Sequence, residues 1–483
     1  MVSLEKGGQS AAVTGAAMSA VTSVVTNSHG ETVVSLRTPM PVSAEALFAW
    51  HERPGAFERL TPGFMPARVI ARSGGIRDGA TVTLAVPVGP AHTTWHLEHT
   101  GYVAGREFRD VQRSGPFASW EHVHRMEPQP DGTSVLDDTI SYRLPLPPFG
   151  ALVADAFTRE KLERLLRWRH AITLLDLERH AAFASRGARH VAITGASGFL
   201  GGALAPFLTT GGHAVRSIGR GAGSDARWDP AAGTLDANAL DGIDAVVHLA
   251  GSSVAERWTA KTKREILESR VQGTRLIAEA CARAKVKPEV LVCASGVGIY
   301  GSRGDEKLDE TSSLGDDFLG EVGKQWEAAA APARDAGVRV VHLRTGVVLN
   351  PAGGALAKML TPMMFGAGGR LGSGKQWMSW ISREDWVGGM HHALQSPAAS
   401  GAVNLVAPEP VTNATFTETL GRIVHRPTLA AVPAFALRAL FGEMADGTVL
   451  ASQRAFPAAL ERSGFRFAHP TLAQALRFEL GLL

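Results

Sequence analysis

Seven residues, Gly195-Ala196-Ser197-Gly198-Phe199-Leu200-Gly201, follow the apolar run His190-Val191-Ala192-Ile193-Thr194. They lead into the helix-like stretch Gly202-Ala203-Leu204-Ala205-Pro206-Phe207-Leu208. Glycines three apart between a strand and a helix are what a dinucleotide needs. They permit a tight turn, close approach of the backbone to a pyrophosphate, and tight helix–strand packing. The pyrophosphate would then lie on the positive end of the helix. Gly195, Ser197, Gly198, Phe199, Leu200 and Gly201 are therefore assigned to cofactor binding. The cofactor's type is read at the end of the next strand, Ser217-Ile218-Gly219-Arg220. NAD-selective sites carry an acid there, whereas an arginine suits a 2′-phosphate. Arg220 favours NADP.

The elements that must position these residues divide the chain into parts. A length of 483 residues calls for two or three domains. Hydrophobic content of 45% and charged content of 20% are those of a soluble globular protein. A net charge of +3 with no basic block argues against a nucleic-acid partner. No apolar stretch is long enough to span a bilayer. Two cysteines, Cys281 and Cys293, exclude a disulfide framework and fit a reducing cytoplasm. Residues 1–30 read as a disordered tail. Their small-residue run lacks the basic start of a signal peptide.

From residue 32 to 146 the chain reads as short strands separated by turns, with a helix over 43–51 capped by Ser43. A long helix follows over 151–184, with Leu162, Leu165, Leu166, Trp168 and Ile172 at helical spacing. A short helix, an antiparallel sheet and a long final helix make an α+β helix-grip unit over 31–184. After a short linker, strands alternate with helices, which implies a parallel sheet. Strands are expected at 190–194, 213–218, 245–248, 290–294 and 338–344, and helices at 260–284 and 321–336. The result is an α/β Rossmann domain, a doubly wound parallel sheet, over 189–410. A small, mostly helical C-terminal part over 411–483 completes the chain, with a proline break near 431–433.

Residues 190–483 resemble the extended short-chain dehydrogenase/reductase superfamily, and within it an epimerase-like subgroup of uncertain substrate. The resemblance is carried by GASGFLGGAL at 195–204, HLAG at 248–251, SRVQGTRLI at 269–277, ASGVGIYG at 294–301, GKQWEAAA at 323–330, RTGVVLNPAGG at 344–354 and GSGKQWMSWISREDWV at 372–387. The C-terminal part resembles a small helical domain of unknown function found in that subgroup. The first half is similar to the START-like (polyketide cyclase/dehydrase-like) ligand-binding superfamily. Residues 54–62, Phe108-Arg109-Asp110-Val111-Gln112, Gly115-Pro116-Phe117 and Trp120-Glu121-His122-Val123-His124 carry that likeness.

The resemblance implies that Leu249, Ala250 and Gly251 lie along the cofactor. It also implies a catalytic Ser, Tyr and Lys, and here the chain departs from the pattern. Ser295 matches the serine and Lys324 is compatible with the lysine, but the position four before Lys324 is Gly320. Tyr300, after the strand bearing Ser295, is a substitute proton donor or else a packing residue. Arg344, Arg270 and Glu321 are further polar groups that could enter the pocket, with Arg344 counted among the cofactor contacts. Trp377 and Trp380 line a substrate pocket or belong to the core, and Asp385 caps or braces a helix start. His122 and His124 share a strand face. Two ligands fall short of a metal site, so no metal is assigned. A polar spot in an apolar cavity that takes an apolar ligand is preferred.

The reading is a cytoplasmic, NADP-dependent oxidoreductase or nucleotide-sugar-epimerase-like enzyme acting on a small, partly apolar substrate. The rival is a non-catalytic NADP-binding regulator whose first domain senses an apolar ligand.

Overall fold

The computed structural model describes residues 21–26, 31–145 except 89–90, and 148–483. The N-terminal unit is an eight-stranded antiparallel sheet: β1 (Val21–Thr26), β2 (Thr32–Met40), β3 (Arg68–Ser73), β4 (Thr81–Val88), β5 (Ala91–Val103), β6 (Glu107–Ser114), β7 (Ser119–Pro128) and β8 (Ser134–Arg143). The order is β1-β2-β8-β7-β6-β5-β4-β3, so sequential hairpins fill the sheet from β3 to β8. Helices α1 (Ala44–Glu52) and α2 (Ala56–Arg59) interrupt it after β2, and α3 (Pro148–Ala181) follows it. Ser43 accepts a 3.3 Å hydrogen bond from the Ala46 amide and so caps α1. Leu162 and Leu166 of α3 pack on Val34, Leu84, Trp120 and Ile140 of the sheet.

Part of the expected tail is not a tail. Val21–Thr26 pairs antiparallel with Thr32–Arg37 as an edge strand. Its Val and Thr content is a strand signal that the small-residue run before it obscured. The rest of the expected tail, 1–20 and 27–30, lies outside the described residues.

Past the linker the sheet is parallel. β9 (His190–Thr194), α4 (Gly201–Thr210), β10 (Ala214–Gly219), β11 (Ala226–Asp229), β12 (Thr234–Leu235), β13 (Ala245–His248), α5 (Ala260–Arg283), β14 (Val290–Gly296) and α6 (Phe318–Ala328) follow in turn. The strand order is β12-β11-β10-β9-β13-β14, continued by Arg339–Thr345 and Gly401–Leu405. All neighbours are parallel except β11 and β12. The order reverses between β9 and β13, and in such sheets ligands bind at that crevice, outside the carboxyl ends of the strands. Fully buried Val, Ile and Leu residues fill both faces, as a parallel sheet requires. The helix expected over 321–336 is two pieces. It breaks at Ala329–Ala330, and Pro332 sits in the first turn of the short helix Ala331–Asp335, where its missing N–H is harmless.

The C-terminal part is tied back by three two-stranded sheets: Lys307–Leu308 with Arg454–Ala455, Gly369–Leu371 with Ala430–Val432, and Trp377–Met378 with Val411–Thr412. Buried charges join the N-terminal unit to the parallel-sheet domain. Arg59 donates to both oxygens of Asp176 on α3, at 2.6 and 2.8 Å, and to Glu384 at 2.6 Å. Asp385 accepts from Arg179 of α3 and from the amides of Ala468 and His469, so it braces three segments, while Ser382 caps its helix.

Candidate functional site

Gly195 turns the chain off β9 with φ +73°, a conformation that costs glycine nothing. A Cβ on Gly195 would press within 3.1–3.3 Å of the Leu249–Ala250 backbone. One on Gly201 would overlap the Gly195 carbonyl. These two glycines let the turn, the first turn of α4 and the 249–251 loop lie against one another. Gly198 is less confined: the Gly195 carbonyl, 3.2 Å from where its Cβ would stand, is the one atom near it. Ser197, Gly198 and Phe199 are exposed, Leu200 is half-buried, and no side chain caps the N-terminus of α4. Uncapped amides beside a glycine turn are an anion cradle. Across the crevice, Thr194 Oγ1 accepts from the amides of Leu249 and Ala250 at 3.2 and 3.3 Å, fixing the second wall. These residues fit a dinucleotide pyrophosphate.

Arg220 directly follows β10 and is exposed, and no hydrogen bond or ion pair holds it among the described residues. An acid does lie near the end of β10: Asp225. It accepts from the Ser217 amide and hydroxyl, both at 2.7 Å, which hold its carboxyl below the usual range.

Ser295 ends β14 on the same carboxyl edge and pairs in register with Arg344 on the next strand. Its hydroxyl donates to Glu327 Oε1 at 2.8 Å. Arg344 donates to the same oxygen through Nε at 2.9 Å and to Oε2 through Nη2 at 2.8 Å. Burial alone would raise the Glu327 carboxyl, but the two-pronged Arg344 contact outweighs it and holds the group below its usual range. Glu327 is a half-buried carboxylate that accepts from a serine hydroxyl.

Tyr300 and Trp380 take the packing alternative, and the expected cofactor contact of Arg344 is corrected. Tyr300 is fully buried; its hydroxyl donates to Asn404 at 2.7 Å and accepts from Arg344 at 3.0 Å. Burial raises the phenol above its usual range, and its proton is committed inside the core. Arg344 is 5% exposed and held by Glu327 and Tyr300 through all three of its nitrogens, which turns it into the protein rather than toward a cofactor. Lys324 pairs with Glu321 one turn away on α6, and Gly320 offers it no phenol. The missing tyrosine has a steric cause: a Cβ at Gly320 would overlap the Gly315 carbonyl. Arg270 lies over Trp326 at 4.9 Å and donates to the carbonyls of Ser252 and Ile266, bracing the loop after β13 against α6. Trp380 is core, with its indole donating to the Glu409 carbonyl. Trp377 is half-buried between Asp305 and Arg454.

Sequence reasoning missed Glu327, which stands three residues after Lys324 in the same helix. It also undercounted the partners of His122 and His124, because they come from other strands.

Residues 191–406 match the model of the NAD dependent epimerase/dehydratase family. An epimerase family protein of Mycobacterium bovis is 46% identical over 292 residues, which cover 60% of this chain and 96% of the relative. The chain belongs to the epimerase family. The human epimerase family relative is 36% identical over 59% of this chain and 98% of its own length. Residues 432–479 match a domain of unknown function. Among solved structures, a nucleoside-diphosphate sugar epimerase from Corynebacterium glutamicum is 34% identical. It covers 93% of this chain and 90% of its own, with a TM-score of 0.77. That likeness takes in the N-terminal sheet. A human epimerase family protein solved with NADPH is 34% identical over 61% of this chain and all of its own, with a TM-score of 0.57. Family membership makes an NAD(P)-linked oxidoreductase or epimerase-like activity the class of this chain, and no described helix is long and apolar enough to cross a membrane.

Proposed function

We propose that this family member is an NADP-dependent oxidoreductase or epimerase-type enzyme acting on a small, partly apolar substrate. The observation that carries the reading is one carboxyl sheet edge bearing an uncapped glycine cradle, an Arg220 without a partner among the described residues, and a serine hydroxyl resting on a half-buried carboxylate. The NADPH in the human relative supports the same cofactor.

Gly195, Ser197, Gly198, Phe199, Leu200 and Gly201 would hold the pyrophosphate, Leu249, Ala250 and Gly251 the opposite flank, and Arg220 the 2′-phosphate. Bound there, the nicotinamide supplies hydride exchange with a substrate carbinol carbon. The chain's own residues handle the proton. Ser295 Oγ takes the substrate hydroxyl proton as its own passes to Glu327, and the reverse path serves reduction. Arg344 keeps Glu327 ionised and oriented, a positioning task. Lys324 stays in the account as a contact to the cofactor alone.

Residues 31–184 would be a START-like module, supported by a serial antiparallel sheet packed on one long helix. An apolar ligand there would meet the Trp120–Ile140–Leu162 cluster. Two buried free thiols suit a cytoplasmic protein.

The test is a screen of carbonyl compounds for NADPH oxidation by the wild type and Glu327→Gln. Turnover that falls about 10²-fold or more in the variant supports the reading, on the scale of general acid–base catalysis. Tight NADPH binding with no turnover on any carbonyl would favour a binding protein instead.

A further inference from the structure

A second cluster of chemical groups lies far along the chain from the cradle, between the N-terminal sheet and α3. Strand alternation puts His99 of β5, Asp110 of β6, His122 and His124 of β7, and Asp138 of β8 on the inner face. Register then sets them side by side. His99 is opposite Asp110, Asp110 opposite His122, and His124 opposite Asp138. His122, His124 and Asp138 are 2%, 4% and 2% exposed. Two carboxylates in such a place demand positive partners, since an uncompensated buried charge is far costlier than a hydrogen bond returns.

The geometry between three of these groups is not that of a finished hydrogen-bond network. His124 Nε2 is 3.3 Å from Asp110 Oδ2, and His122 Nδ1 is 3.9 Å from that same oxygen. The second distance is too long for a hydrogen bond. His122 Nε2 is buried with no hydrogen-bond partner, 3.8 Å from Asp138 Oδ2. The two imidazoles lie with ring centroids 3.8 Å apart. One donor atom from each of Asp110, His122 and His124 falls within 4.8 Å of the others. Bonds of about 2.0–2.2 Å to a tetrahedral zinc ion place donors roughly 3.4 Å apart, which the 3.3 and 3.9 Å separations bracket.

The surrounding groups are those that hold metal ligands in place. His124 Nδ1 is 2.8 Å from Asp138 Oδ1, the carboxylate–histidine arrangement that orients a ligating imidazole. His99 Nε2 is 2.8 Å from Asp110 Oδ1 and so leaves Oδ2 for an ion. His170 of α3 bonds Asp138 Oδ2 at 3.1 Å and Thr38 at 2.8 Å, which fixes the outer carboxylate in turn. Asp110 is the wettest member, with its side chain 18% exposed, so an ion enters from its side.

We infer that Asp110, His122 and His124 form a binding site for one divalent first-row transition-metal ion, in the class of Zn²⁺ and Co²⁺. Two imidazole nitrogens and one carboxylate oxygen suit those ions better than Mg²⁺ or Ca²⁺, which prefer all-oxygen shells. Three protein ligands leave at least one position for water or another small ligand. Ion entry displaces whatever proton the ligating nitrogens carry, so binding releases protons and needs no redox partner.

The test uses the full chain, stripped with a chelator and titrated with Co²⁺. The expected result is one equivalent bound, with visible d–d absorption that Zn²⁺ displaces. His122→Gln and Asp110→Asn should each abolish that absorption. His99→Gln, which removes only the support of Asp110, should weaken affinity about 10–100-fold. Stoichiometric binding that survives both ligand substitutions, or no binding by the wild type, overturns the site. Should the variants not fold, X-ray absorption of the Zn²⁺-loaded wild type decides. A nitrogen/oxygen shell with outer scattering from two imidazoles supports the site, and an all-oxygen shell overturns it.

Discussion

Ser295 Oγ donates its hydrogen to Glu327 Oε1 at 2.8 Å, across 32 positions of sequence. On that contact the proposed function rests its proton path, in place of the phenol expected of the superfamily. Ser295→Ala removes the group that meets substrate and should lower turnover about 10²–10³-fold. Glu327→Gln should do the same with NADPH affinity unchanged. Tyr300→Phe should leave turnover within a few-fold and lower stability by about 1–2 kcal/mol, because Asn404 and Arg344 each lose a buried partner. Steady-state kinetics and denaturant melts of the three variants check the pattern.

The glycine cradle makes a steric prediction. Gly201 has no room for a side chain, whereas the exposed Gly198 has only the Gly195 carbonyl near it, at 3.2 Å. Gly201→Val should unfold or loosen the parallel-sheet domain. Gly198→Val should leave it folded and abolish nucleotide binding, since the branched side chain takes the pyrophosphate's space. Circular dichroism melts beside NADPH titrations separate the two outcomes.

The interface of α3 makes a prediction about pH. His180 stacks on Phe207, with ring centroids 4.3 Å apart, and both its ring nitrogens are buried without partners. Burial, helped by His213, Arg59, Arg53 and Arg179, pushes its pKa down to about 3. His391 beside it is pushed down as well, by burial first and by His180 second. Both groups bind protons more readily in the unfolded chain. Their stability contribution is therefore complete above about pH 6.5 and is lost as pH falls toward 3. His180 alone should cost roughly 1–2 kcal/mol by pH 5. His180→Phe should flatten part of the decline in melting temperature between pH 7 and 5, and an unchanged slope would show that the ring is solvated.

Much of this was legible in the sequence. The 195–201 spacing after an apolar strand marked the turn, and the strand–helix alternation marked the parallel sheet, because both signals are local. Glu327 was not legible, since only the packing of α6 on β14 brings it to Ser295. The absence of tyrosine at 320 was visible, but its cause, the Gly315 carbonyl, needed the loop's path. His122 and His124 could be placed on one face by alternation. Asp110, Asp138 and His170 joined them through strand register and helix docking, which period-2 patterning does not specify.

Asp176 and Glu384 reach Arg59 from different domains in a site where its side chain is 2% exposed. Arg59→Ala leaves the buried Asp176 without its ion-pair partner and Glu384 with Arg383 alone, and should destabilise the chain by about 3–5 kcal/mol. Arg59→Lys, which cannot fork onto Asp176, should recover only part of that. Denaturant unfolding of both variants measures the difference.

The proposed reading gives Arg220 the choice of cofactor, and the most direct test is calorimetric titration of the full chain with NADPH and with NADH. The account predicts tighter binding of NADPH, and a preference that shrinks in Arg220→Ala by roughly 1–3 kcal/mol, the scale of hydrogen bonds to a charged group. Equal affinity for the two nucleotides in the wild type, or a preference that Arg220→Ala leaves untouched, would contradict it.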